Sequence, residues 1–134
     1  MKISVATIVQ APIASVWHAY TFPDAIKIWN AASEDWHTTS ATVDLRAGGY
    51  FSSRMEAKDG SMGFDFSGVY TKIEEYKLIE YTFGDRMAQV SFEETSDGVR
   101  LKVTFSAEST YTEEQQRNGW QAILTNFKKY AEAR

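Results

Sequence analysis

Side chains able to do chemistry are few in this chain, and their spacing argues against most of the reactions they could support. His18 and His37 are the only histidines. His18 follows Trp17 on a short striped segment and His37 follows Trp36 at the start of a period-two run, so both are expected on polar faces. Two separated histidines among scattered carboxylates match no zinc-binding spacing. The sequence contains no cysteine, which excludes thiolate catalysis, thiolate metal sites and disulfides. No Ser-His-Asp arrangement follows from spacing, and Gly48-Gly49 lacks the strand-loop-helix context that would cradle a phosphate. Arg54, Glu56, Asp65, Glu80 and Arg100 fall on outward positions of alternating runs, where each solvated cross-strand pair contributes about a few tenths of a kcal/mol. What remains is a set of rings. Tyr70 and Tyr81 point inward and carry hydroxyls that a ligand could meet.

Rings can act together only if some framework turns them toward one space. The last segment, Thr112 to Ala133, supplies half of that framework. Trp120, Ile123, Leu124, Phe127, Tyr130 and Ala131 recur at three- and four-residue steps, which predicts one long amphipathic helix of roughly 30 Å at 1.5 Å per residue. Thr112 and Gln115 form a capping-box pattern, and Glu113 and Glu114 sit where the helix dipole favours negative charge. Gly119 lies inside this helix. A helical glycine costs about 1 kcal/mol against alanine, so it is expected to answer a steric demand, either close packing on a sheet or room for a neighbour.

The other half is a sheet. Lys2 to Gln10 reads as a strand that stops at Ala11-Pro12. Pro12 suits the first turn of a short helix with Ile13, Val16, Trp17 and Tyr20 on its apolar stripe, and Phe22-Pro23 breaks it before a second turn carrying Ile26 and Trp29. From Trp36 the period changes to two, giving about six strands up to Glu108. Hairpin turns are expected at Leu45 to Gly49, with both glycines free to take positive φ, and at Asp59-Gly60, Gly84 to Arg86 and Ser96 to Gly98. The odd spacing of Tyr70 and Ile73 predicts a bulge near Thr71. Short connections make these strands an antiparallel meander with one apolar face, and only the final helix is long enough to cover it. The fold class is therefore α+β: a curved sheet of about seven strands around a C-terminal helix, as one domain over residues 1–134.

Composition narrows the partners. The net charge is −4, and no window collects Lys and Arg, so nucleic acid and anionic membranes are not expected. No apolar stretch is long enough for a signal peptide or a membrane span, which points to the cytoplasm.

Ala11-Pro12 with Val16-Trp17, Phe22-Pro23 with Ile26 and Trp29, the run Asp44 to Phe51, Gly68-Val69-Tyr70, and Gly119-Trp120 with Leu124 together resemble the signature of the heat-shock-protein-90 ATPase-activator-homologue family. That family lies within the START-like (SRPBCC) superfamily, and the resemblance spans Ile3 to Ala131. It implies a helix-grip fold like that of the birch pollen allergen, with an internal pocket. It also implies a chaperone as an alternative partner. In the eukaryotic activator a separate N-terminal domain makes much of the chaperone contact, and 134 residues leave no room for one.

The expected pocket lining follows from the inward faces. Phe51, Met55, Phe64, Phe66, Tyr70, Tyr81, Phe83, Val90 and Phe92 come from the sheet; Trp120, Leu124 and Phe127 come from the helix; Trp17, Ile26 and Trp29 close one end. The leading expectation is noncatalytic binding of a small apolar or aromatic molecule, without cofactor or metal, by a monomer or weak dimer. A chaperone-accessory module and a START-like enzyme such as a cyclase or hydrolase are the alternatives.

Overall fold

The computed structural model describes residues 1–133. Strand β1 (Lys2–Val9) leads into two short helices, α1 (Ile13–Thr21) and α2 (Pro23–Trp29). The proline that fits a first helical turn is Pro23 alone. Pro12 is extended at ψ 147° and stands as the residue before α1, so its missing N–H is again no loss. Six strands follow: β2 (Trp36–Val43), β3 (Tyr50–Ala57), β4 (Gly63–Glu74), β5 (Leu78–Phe83), β6 (Arg86–Thr95) and β7 (Gly98–Ser106). The last element is helix α3 (Glu113–Glu132).

All seven strands form one antiparallel sheet in the order β1-β7-β6-β5-β4-β3-β2. This is the curved antiparallel sheet expected from periodicity and the helix-grip arrangement that the family resemblance implies: a curled half-barrel closed by α3, with the short helices inserted after β1. The register between β4 and β5 slips between Tyr70 and Lys72, which is the bulge that the Tyr70 to Ile73 spacing predicts.

The closest approaches that glycine permits are at Gly49 and Gly68. Only Gly48 of the Gly48-Gly49 pair has positive φ, at 86°. Gly49 is required for a different reason, since a Cβ there would lie 2.0 Å from the Asp44 carbonyl oxygen. The turn that results is bonded onto β4, Gly48 N–H donating to the Tyr70 carbonyl at 2.7 Å and Tyr70 N–H to the Gly49 carbonyl at 2.9 Å. At Gly68 a Cβ would strike the Thr82 carbonyl at 2.2 Å and the Phe51 ring at 2.8 Å, so the absent side chain lets that ring settle on the sheet.

Helix α3 starts as its sequence predicts. Thr112 Oγ1 accepts from Gln115 N–H at 3.1 Å, and Gln115 Oε1 accepts from Thr112 N–H at 2.9 Å. The helix then leans on the free edge of β1. Gln121 and Lys128 donate to the Ala6 and Ile8 carbonyls, and Glu132 accepts the Gln10 N–H at 2.7 Å. These bonds satisfy backbone groups that an edge strand leaves open. They also set where α3 lies: along one border of the sheet rather than over its middle.

Candidate functional site

Because α3 is held against β1, its first half stands away from the strands across the sheet. A cavity of about 740 Å³ lies in the gap. The sheet contributes Phe51, Met55, Phe64, Phe66, Tyr70, Tyr81 and Phe83 to its lining; α3 contributes Gly119, Trp120, Ile123 and Leu124; Tyr20, Ile26 and Trp29 close it from the short helices. These rings are in mutual contact. Phe51 lies 5.0 Å from both Tyr70 and Tyr81, Phe66 stacks on Phe83 at 5.3 Å, and Trp120 faces Phe66 and Phe83 at 6.2 and 6.0 Å. Trp120 itself lies flat on Phe105, 4.0 Å away at 8°, so its indole roofs the space instead of filling it.

Four residues expected on the lining are elsewhere. Trp17, Val90, Phe92 and Phe127 belong to a solid layer beneath α1 and the second half of α3. Phe92 meets Trp17 at 5.0 Å and Tyr20 at 5.6 Å, while Phe127, wholly buried, meets Tyr20 at 5.2 Å and Trp29 at 5.0 Å. They face inward as their periodicity requires, but α1 and α2 pack over that end and leave no room. Phe64 borders the cavity from its open end. It is 49% exposed and rests on Trp36 at 5.9 Å.

Gly119 answers no close packing. A Cβ at that position would meet nothing within 4 Å, so the close-packing alternative read from the sequence does not hold.

The polar groups of the site are not legible in its ring pattern. Tyr20, Tyr70 and Tyr81 border the cavity, and among the described residues none of their hydroxyls has a hydrogen-bond partner. Burial pushes all three phenols up, Tyr70 to about 12, and for Tyr81 the neighbouring Tyr20 and Tyr70 add to the effect. Arg86 and Glu108 also border the space. The sequence reading puts Arg86 in a turn, yet β6 begins at that residue, opposite Phe83, and so Arg86 shares the inward face of Ala88, Val90 and Phe92. Extending the alternation of Val90 and Phe92 back by four residues is the signal that finds it. Ser53 and Ser67 contribute short polar side chains from β3 and β4.

Of the remaining titratable candidates, Asp65 borders the cavity, contrary to its expected outward position, with a side chain that is largely exposed; the others do not line it. His18 is exposed and stacks on Phe22 at 4.7 Å, His37 is on β2, and neither borders the cavity. Arg54 bonds Glu56 at 3.1 Å and stands 3.6 Å from Asp65, a partly exposed cross-strand set. Among the described residues no group of three or more His, Cys, Asp or Glu side chains could hold a metal ion, and no helix is long and apolar enough to cross a membrane.

Comparisons with known proteins agree with this geometry. Residues 10–132 match the family described as Activator of Hsp90 ATPase homolog 1-like protein. Among solved structures, the AHSA1-like protein from Aeromonas hydrophila is 47% identical, with a TM-score of 0.93 over 99% of this chain and 93% of that one. A protein from Cytophaga hutchinsonii is 46% identical, with a TM-score of 0.85 over 98% and 92%. A protein from Nitrosomonas europaea shares the fold at 22% identity, with a TM-score of 0.86 over 99% and 95%. No curated protein matches the chain. The motifs from Ala11-Pro12 to Gly119-Trp120, the helix-grip sheet around α3 and the family match across nearly the whole chain converge, and the chain belongs to the Activator of Hsp90 ATPase homolog 1-like family.

Proposed function

We propose that the protein binds a small apolar or aromatic molecule, without transforming it, in the cavity beneath the first half of α3. One observation carries this reading: the helix bears a glycine where the fold offers open space. A side chain at Gly119 would touch nothing within 4 Å of its Cβ, so neither strain nor contact demands glycine there, although it costs about 1 kcal/mol against alanine. Room at that point is what it preserves. The volume of about 740 Å³ falls in the range of roughly 300–1,000 Å³ typical of small-molecule sites. The lining favours recognition over catalysis, since its phenols are pushed up by burial and stay protonated at neutral pH.

A titration with naphthalene tests the reading, followed by tryptophan fluorescence and by amide shifts around Trp120. Saturable perturbation of Gly119, Trp120 and Phe83 is expected. Gly119→Leu, which places a side chain in the open space, should weaken binding at least tenfold while the fold is retained. Absence of shifts across a broader apolar and aromatic library, or equal binding by Gly119→Leu, removes the proposal.

A second reading, an accessory partner of heat-shock protein 90, is supported by the family description and by exposed Met62 and Phe64 beside the open end. It predicts a changed ATPase rate when the protein is added to that chaperone, reversed by Met62→Lys. An unchanged rate counts against it.

A further inference from the structure

On the lining of the cavity a cation and an anion stand side by side without a hydrogen bond between them. Arg86 Nη1 is 3.7 Å from Glu108 Oε2, beyond hydrogen-bonding distance. The Arg86 guanidinium spends only Nε on the protein, donating to the Ser106 carbonyl at 3.0 Å, and lies over the Phe83 ring at 4.6 Å. Its two terminal nitrogens are bonded to no acceptor among the described residues. Glu108 Oε1 is buried and accepts no hydrogen bond among the described residues. Buried acceptors of this kind are rare, because each forgoes the stabilisation that water would have given it.

Both groups are held in place. Buried Gln116, in the first turn of α3, accepts the Glu108 N–H at 2.9 Å and donates to the Glu108 carbonyl at 3.1 Å, pinning that backbone in both directions. Arg86 is fixed by its Ser106 bond and by the ring beneath it. Arg86 is the one cation among the described residues that border the cavity, and Glu108 offsets its charge; the other carboxylate on the lining, Asp65, is paired with Arg54 at 3.6 Å. The pair therefore presents unused donors and an unused acceptor with no net charge.

We propose that Arg86 and Glu108 form the head-group subsite of the cavity, and that the ligand is a neutral amphipathic molecule whose hydroxyl or carboxamide accepts from Arg86 and donates to Glu108. This rests on the cavity-binding reading above and names the chemical class that the site selects. A carboxylate would meet Arg86 but face Glu108, and an ammonium would meet Glu108 but face Arg86. A group carrying both an acceptor and a donor satisfies the two together. Its apolar body would lie against Phe66, Phe83 and Trp120.

The experiment uses one aromatic skeleton with different heads: naphthalene, 2-naphthalenemethanol, 2-naphthamide, 2-naphthoate and 2-naphthylmethylammonium, titrated by tryptophan fluorescence. Hydrogen bonds to charged groups are worth enough that the alcohol and amide should bind the wild type about tenfold tighter than naphthalene, with the two charged probes weaker than both. Measured against naphthalene in the same variant, Glu108→Gln should tighten naphthoate and Arg86→Met should tighten the ammonium, whatever either change does to naphthalene itself. Naphthoate or the ammonium as the tightest wild-type ligand overturns the proposal, as does equal affinity for all heads. That second result leaves the cavity reading standing. Failure of naphthalene and every derivative to bind sinks both. The wild-type series is decisive even if a variant fails to fold.

Discussion

Where α3 ends, Phe127 is wholly buried between Tyr20 at 5.2 Å and Trp29 at 5.0 Å; where α3 begins, Trp120 stands 6.0 Å or more from Phe66 and Phe83, above a cavity of about 740 Å³. Both ends are built of large rings on a sheet facing a helix. They differ in what else is present. The first has α1 and α2 inserted between sheet and helix, and the Trp29 indole N–H is satisfied by the Ala19 carbonyl at 2.9 Å, so even its polar atom is accommodated. At the second, α1 and α2 reach only the border of the space, through Tyr20, Ile26 and Trp29, and Gln121 of α3 is bonded to the β1 edge at the Ala6 carbonyl. Ring content therefore does not decide whether a layer is solid. The number of elements that converge on it does.

The largest test of this contrast compares truncations. Phe127→Ala should cost about 3–5 kcal/mol, because it opens a new void in a filled layer. Phe83→Ala should cost about 1–2 kcal/mol, since it enlarges a space that already exists and loses mainly ring contacts. Urea denaturation of both variants measures the difference, and equal losses would mean that the two ends are packed alike.

Alkaline pH sharpens the comparison along the wall between the ends, where Tyr20, Tyr70 and Tyr81 sit. Burial raises the Tyr70 phenol from 10.0 to about 12. A phenol raised in the folded state contributes stability that is complete below its unfolded value and is lost as pH climbs through the folded one. Stability should thus hold to about pH 10 and fall by about 2 kcal/mol from Tyr70 alone toward pH 12. Tyr70→Phe should flatten that limb in denaturation curves taken at stepped pH. An alkaline limb identical to the wild type would place the phenol in a solvated setting.

The smallest effect is at Gly119. Gly119→Ala should raise stability by about 0.5–1 kcal/mol, since helix propensity improves and the Cβ meets nothing. A loss of stability, read from thermal melts, would show that the hollow end is tighter than its geometry says.

Much of this is legible in the sequence, for particular reasons. The Thr112–Gln115 cap, the Thr71 bulge and the alternation of β3 through β7 are local matters, set by residues within a few positions of one another. Eleven of the residues expected on the lining do border the cavity: Ile26, Trp29, Phe51, Met55, Phe64, Phe66, Tyr70, Tyr81, Phe83, Trp120 and Leu124. Their face follows from period. Trp17, Val90, Phe92 and Phe127 follow the same period and end in the solid layer, because period reports which way a side chain points and not how far away the opposite element stands. Arg86 is hidden by a strand start read one residue late, and Glu108 by its outward phase in an alternation that β7 abandons after Ser106.

The amino-acid order by itself determined the elements, their faces and the antiparallel order of the strands, since each depends on side-chain spacing and on turns too short to allow another path. Only the tertiary structure decided that one end is filled and the other open, and that a guanidinium and a carboxylate meet on the cavity wall. Those outcomes depend on the tilt of α3 against β1 and on the curl of the sheet, which arise from contacts between residues more than a hundred positions apart.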